Sequence, residues 1–278
     1  MIHNLFKNEV YLEPTEHKYF DSKGNQYISF SALYGKLVKK FDADKISKQI
    51  AKYGSSSADD LKAKWAKTAE QGTRVDNALE RYLQTATILP TDDDLKELIP
   101  YVLAKYKDYH SVYNQVTVYD LETRSAGSTD ATCIVTNRKD SRFHKGDWKC
   151  FQKGLPSLFE VVKDQPWLNA PFEHLPNTKF TKISFQLSYY ARHFEKLTGR
   201  KCERLFIDLI VPKWDENDRL VSFENHVVNV NYLKNDIEVL LATFKDEILD
   251  QLDGTENITY EPIDTEKLLI KNVDEEYF

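Results

Sequence analysis

Three short β-prone segments, 115–122, 128–135 and 145–151, stand together in the middle of the chain, with helical patterning on both sides. Helices flanking a central run of strands lead to one α/β domain in which a mixed central sheet is covered by helices. Upstream, 10–12, 17–20 and 26–30 are further β-prone runs, the last two joined by a turn over 21–25. Ser31 is placed to cap a helix reaching residue 53, where Gly54 and three serines break it; a second helical stretch continues through Gly72 to Leu83. Thr91 followed by three aspartates predicts a helix start, with the helix running towards residue 113 despite Pro100. Downstream, 152–180 carries Pro156, Pro166, Pro171 and Pro176 and reads as a long irregular excursion. A helix over 182–197 ends at Gly199, strands follow at 204–211 and 220–230, and a last helix spans 233–252. The organisation expected is a single domain over 1–252, its first 64 residues holding a β-hairpin and a lysine-rich helix, then an acidic tail over 253–278.

Composition removes several classes of function. A chain of 278 residues that is 41% hydrophobic and 13% aromatic has ample material for a packed core. It contains no run of 18 apolar residues, and residues 1–9 are too polar for a signal peptide, so a cytoplasmic protein without a membrane partner is expected. Cys133, Cys150 and Cys202 are odd in number and far apart, which leaves no disulfide framework and no cysteine cluster for zinc or iron-sulfur. No phosphate-binding G-x-x-x-x-G-K-[ST] loop is present. The net charge of -6 argues against a polyanionic partner until its distribution is considered. Between residues 36 and 67 nine lysines face only Asp42, Asp44, Asp59 and Asp60, whereas 246–278 holds eleven acids against Lys267 and Lys271. One end of the molecule can face a polyanion while the other repels it, and the tail is open to a protein partner.

The chemistry concentrates on Asp147, Trp148 and Lys149. Residues two apart on a strand share a face, so the Asp147 carboxylate and the Lys149 ammonium stand side by side while Trp148 points the other way. Asp130 lies 17 residues earlier in the preceding β segment, and a hairpin through 136–142 brings its carboxylate next to that of Asp147. Two converged carboxylates repel unless one is protonated or a cation bridges them. Oxygen ligands without Cys or His suit Mg²⁺ or Mn²⁺, which activates water and stabilises a leaving oxygen, with Lys149 orienting that water. The same spacing at Asp60 and Lys62, and at Asp94 and Lys96, falls in helical stretches where residues two apart do not share a face.

The order of motifs carries more than the tripeptide. Gly127, Ser128, Thr129 and Asp130 come first, Gly146 to Lys149 next, then Gln186 and Tyr190 four apart on a helix; ahead of all stand Gly72, Asp76 and Glu80, spaced i, i+4, i+8 on one helix face. This pattern, over residues 65–195, resembles the PD-(D/E)XK nuclease superfamily, in its RecB-like and phage exonuclease branch. The resemblance implies a restriction-endonuclease-like core and a Mg²⁺-dependent deoxyribonuclease, an exonuclease rather than an endonuclease, acting in replication, recombination or repair and phage-encoded. By resemblance, Asp130, Asp147, the Trp148 backbone carbonyl and Asp76 hold metal, with Glu80 as a further acid beside them. Lys149 assists the attacking water, Gln186 and Tyr190 hold a phosphate or support the carboxylates, and Glu122 stands near the metals. The chain departs from the pattern in three places: Asp76 replaces a histidine, the normally aliphatic strand before Asp147 reads Phe143, His144, Lys145, Gly146, and Cys150 and Phe151 follow the lysine. A nuclease-like fold without catalysis, binding DNA or protein, is the alternative, and a DNA-mimicking inhibitor is a third reading of the acidic tail. Trp167, Phe172 and Phe180 are able to stack on bases but are expected to pack on the core.

Overall fold

The structure is a computed structural model describing residues 9–253 apart from 14, 137 and 139–141; the acidic tail from residue 254 onward lies outside the described residues. The chain begins as a meander, β1 (Val10–Glu13), β2 (Lys18–Asp21) and β3 (Gln26–Ser29). Its second turn is closed by the Asp21 carboxylate, which accepts from the backbone N–H groups of Lys23 and Asn25 at 2.9 Å each.

The helix expected from Ser31 to residue 53 is two helices. Ser29, not Ser31, caps the short α1 (Phe30–Tyr34), and Asp42 caps α2 (Ala43–Tyr53). Between them Leu37 turns into the core, and the carbonyls of Lys36 and Leu37 accept from Asn169 and Gln165 of the excursion. Those long-range bonds replace the helical ladder. α3 (Ala58–Thr85) starts with a reciprocal capping box between Ser57 and Asp60 and buries Gln71, Val75, Ala78 and Leu79.

The helix expected from Thr91 to 113 is also divided. A 3₁₀ turn at Pro90–Leu95 leads to α4 (Leu98–Leu103), and the chain has become strand by β4 (Ser111–Tyr113). Asp92 bonds Arg74 and Arg81 instead of capping a helix, and Pro100 occupies the first turn of α4, where its missing N–H has no helical partner to lose.

β5 (Val116–Asp120), β6 (Ser125–Thr129), β7 (Ala131–Ile134) and β8 (Phe143–Cys150) follow, then the excursion, α5 (Lys179–Thr198), β9 (Cys202–Trp214), β10 (Leu220–Val230), α6 (Lys234–Thr243) and α7 (Lys245–Asp253). The fold is mixed α/β, with its strands in two five-stranded sheets ordered β1-β2-β3-β6-β5 and β10-β9-β8-β7-β4. Each has one parallel pair, β3 with β6 and β8 with β9. The chain leaves the first sheet at Thr129 and enters the second at Ala131, so Asp130 is the single residue between them. α5 packs its buried row, including Phe185, Tyr189 and Phe194, against strands of both sheets, while α3 and α4 cover the opposite face of the second sheet around Trp148. In the excursion Leu168 and Phe172 are buried and Phe180 lies against Phe159, as expected; Trp167 is 54% exposed and does not pack.

Candidate active site

Ala131 pairs with Gly146 on adjacent antiparallel strands, which sets Asp130 across from Asp147. Asp130 is held well above the usual carboxylate range, first by burial and then by Asp147 opposite it. Lys149, two residues along the same face of β8, places Nζ 2.7 Å from Asp147 Oδ1 and 3.9 Å from Asp130 Oδ2. Burial works against its charge, but Asp147 and Asp130 outweigh burial and raise its pKa. One ammonium does not satisfy the pair: Asp147 Oδ2 is buried without a partner.

α3 supplies the third acid. A Cβ built on Gly72 would lie 3.9 Å from the Cys150 side chain, so this helix runs close over the end of β8. One turn further on, Asp76 has Oδ1 buried and unpartnered. Its pKa is pushed up to about 6 by burial, with Asp147 and Glu80 adding to the rise and Lys149 opposing it. Glu80, another turn along, is half-buried, accepts from Gln84 at 3.2 Å and is raised chiefly by burial. It acts on Asp76 through charge.

The remaining walls come from close approaches. A Cβ on Gly127 would stand 2.3 Å from the Tyr190 ring, and one on Gly146 would stand 2.5 Å from the Phe206 ring, so each glycine admits an aromatic side chain against the strand backbone. Tyr190 is thereby seated beside Asp130; its hydroxyl accepts from Gln186 Nε2 at 3.0 Å, and its pKa is raised by burial and further by Tyr19, Asp130 and Asp147. Trp148 faces away, donating to Tyr106 Oη at 3.0 Å, and that hydroxyl lies 3.3 Å from the buried Asp208.

Two residues of this region carry no sequence signal. Tyr19, on β2, bonds the backbone of Ser128, and burial first, then Asp130, push its pKa up to about 12. It is 111 positions from Asp130, and only the β2-β3-β6 pairing unites them. Lys145 shares the face of Asp147 and is fully buried, donating to Thr132 Oγ1 at 2.6 Å with Nζ 4.6 Å from the Phe194 ring centre; burial lowers its pKa to about 7. The polar run before Asp147 therefore folds inward at Lys145, while His144 bonds Tyr109 and Glu203 away from the carboxylates.

Glu122 does not reach the site. It lies in the turn after β5, 80% exposed, bonded to Lys196. The duplicate spacings are structural: Asp60 belongs to the capping box, and Asp94 bonds Arg74 and accepts from the Leu220 N–H. Among the described residues no three His, Cys, Asp or Glu side chains converge to hold a metal, and no helix is long and apolar enough to cross a membrane.

No protein-family profile matches the sequence, and no curated protein matches it. Among solved structures, the chain is similar to one from Eubacterium rectale described as a "Putative exonuclease", with 13% identity, a TM-score of 0.41 and 86% of each chain covered.

Proposed function

We propose that this chain is a metal-dependent DNA nuclease, an exonuclease in the order of its motifs, whose reaction centre is Asp130, Asp147 and Lys149. The observation that carries the reading is the meeting of two carboxylates across adjacent strands, with an ammonium 2.7 Å from one and 3.9 Å from the other. Buried oxygens of Asp147 and Asp76 that lack any partner suit a hard cation such as Mg²⁺ or Mn²⁺. Asp130, Asp147 and the Trp148 carbonyl would hold it, with Asp76 and Glu80 adding negative charge beside it. When bound, it would polarise a phosphodiester and lower the pKa of a water. Lys149 supplies fixed positive charge where negative charge develops on the phosphoryl oxygens. Tyr190, whose oxygen already accepts from Gln186, keeps its own proton for a phosphate oxygen.

Labelled linear and circular DNA incubated with the protein in Mg²⁺ or Mn²⁺ tests this. Linear DNA should shorten progressively, and Asp147→Asn and Lys149→Ala should each lose most of that activity. Equal cleavage by wild type and variants, or none with either metal, refutes the proposal. The absence of a third converging carboxylate favours one other reading, a nuclease-like fold that binds DNA without cutting it. Calorimetry separates the two, because that module should show no Mg²⁺ site that disappears in Asp130→Ala.

A further inference from the structure

α2 and the first half of α3 form a two-helix arm that no core explains. Ser47 is the one buried residue of α2, and none of the first thirteen residues of α3 is buried. Tyr53, at the tip, is 84% exposed, and Phe41, at the base, is 63% exposed. Between residues 39 and 67 there are eight lysines and four aspartates.

All four aspartates are committed within the arm. Asp42 caps α2, Asp60 closes the capping box of α3, and Asp44 and Asp59 both bond Lys62, at 3.0 and 3.1 Å. Lys67 pairs with Asp218, and Lys39 donates to the Asp164 carbonyl. Lys40, Lys45, Lys48, Lys52 and Lys64 are exposed and have no carboxylate partner among the described residues. Lys45, Lys48 and Lys52 are three and four apart and form one row on α2, opposite the Ala43, Ser47 and Ala51 row that faces inward. A stripe of exposed ammonium groups, offset only by the charge of Asp44 one turn from Lys48, matches a regular polyanion.

We infer that this arm docks the sugar-phosphate backbone of DNA on the approach to the carboxylate site, an inference that rests on the nuclease reading. α3 fixes the geometry because it carries both the arm and Asp76. From Ala58 to Asp76 is eighteen residues, about 27 Å of helix, which matches about eight base steps at 3.4 Å each. The arm holds the duplex up to that distance from the bond being cut, without reading its sequence.

The test uses the full chain in EDTA, fluorescein-labelled duplexes shorter and longer than ~8 base pairs, and the variant Lys40→Gln/Lys45→Gln/Lys48→Gln/Lys52→Gln. On long duplexes the variant should bind at least about tenfold more weakly, with a log-log salt dependence shallower by about 3 to 4; on short duplexes the difference should shrink. A variant that matches wild type in affinity and salt slope, while wild type binds and cuts, overturns the arm and leaves the nuclease reading standing. Loss of binding in the variant, with no cleavage by either protein in Mg²⁺ or Mn²⁺, supports the arm and overturns the nuclease. A wild type that neither binds nor cuts overturns both. Capture of wild type by phosphatidylserine vesicles in place of DNA assigns the basic stripe to a membrane surface and also overturns the proposal.

Discussion

Gly127→Ala isolates the contact that seats Tyr190 against the strand leading to Asp130. Gly127 lies on β6 with no positive φ, so in backbone terms alanine should be favoured there by about 0.5–1 kcal/mol. The new Cβ, however, would stand 2.3, 3.0 and 3.3 Å from three atoms of the Tyr190 ring. The ring has little room to yield: its hydroxyl is tied to Gln186, and Phe30 and Tyr189 lie 6.4 and 5.8 Å away between ring centres. Overpacking of this kind costs about 1–3 kcal/mol, which leaves a net destabilisation of up to about 2.5 kcal/mol after the backbone gain. The partner experiment is the same substitution in a Tyr190→Ala background, itself weakened by about 3–5 kcal/mol. With the ring gone the sign should reverse, and Gly127→Ala should stabilise by about 0.5–1 kcal/mol. Urea unfolding followed by tryptophan fluorescence measures all four proteins. Equal costs in the two backgrounds would refute the reasoning, since the ring would then not be what excludes a side chain at 127.

His193 is buried, with Nδ1 donating to the Tyr189 carbonyl and Nε2 accepting from Ser125, both at 2.7 Å; burial first, then Arg192, lower its pKa to about 3. The unfolded chain takes up the extra proton below about pH 6.5, so stability should fall as pH drops from there towards 3, by about 2–3 kcal/mol at pH 4.5. His193→Gln should remove that increment between pH 7.5 and 4.5, and an undiminished loss in the variant would count against it. Lys145→Met exchanges a buried amine for an apolar chain of similar length and should raise stability at pH 7 by about 1–3 kcal/mol. Because the amine is held near pKa 7 when folded and about 10.4 when unfolded, wild-type stability should climb between those pH values and the gap should close; a gap independent of pH contradicts this. Mg²⁺ at ten times its Kd should stabilise wild type by about 1.4 kcal/mol, read as a rise in Tm over an NaCl control of equal ionic strength. The same rise in Asp130→Ala would show that the cation binds elsewhere.

The local parts of the site were legible because they depend on short periods. A spacing of two on a strand put Asp147 and Lys149 together, and a spacing of four on a helix did so for Gly72 with Asp76 and for Gln186 with Tyr190. Gly199 ended α5 as its position predicted. Hidden features were those decided by long-range bonds. The break between α1 and α2 exists because Lys36 and Leu37 give their carbonyls to Asn169 and Gln165, more than 120 positions away. Asp92 reads as a helix start until Arg74 and Arg81 are seen to claim it. The passage at Asp130 from one sheet to the other has no local marker, since the β-prone run 128–135 continues through it without a break. Lys145 looked like a polar interruption of a core strand; the cavity between Thr132 and Phe194 takes its amine inside.

Charge accounting across the interior sets the candidate site apart. Asp120 is buried against Arg192 and Lys196, Asp92 against Arg74 and Arg81, and Asp208 against Lys105, Tyr106 and Asn225. Each of these carboxylates has enough donors to offset the cost of leaving water. Asp76, Asp130 and Asp147 share a single ammonium, Lys149, with Glu80 adding to the repulsion at Asp76. Asp76 and Asp147 are also the carboxylates that, among the described residues, keep a buried oxygen with no partner, a deficit of about 1–3 kcal/mol each. The interior thus supplies donors to its other buried acids and leaves these short of positive charge. Burial first, and then this shortage of positive charge beside Asp147, leave Asp130 inclined to keep a proton.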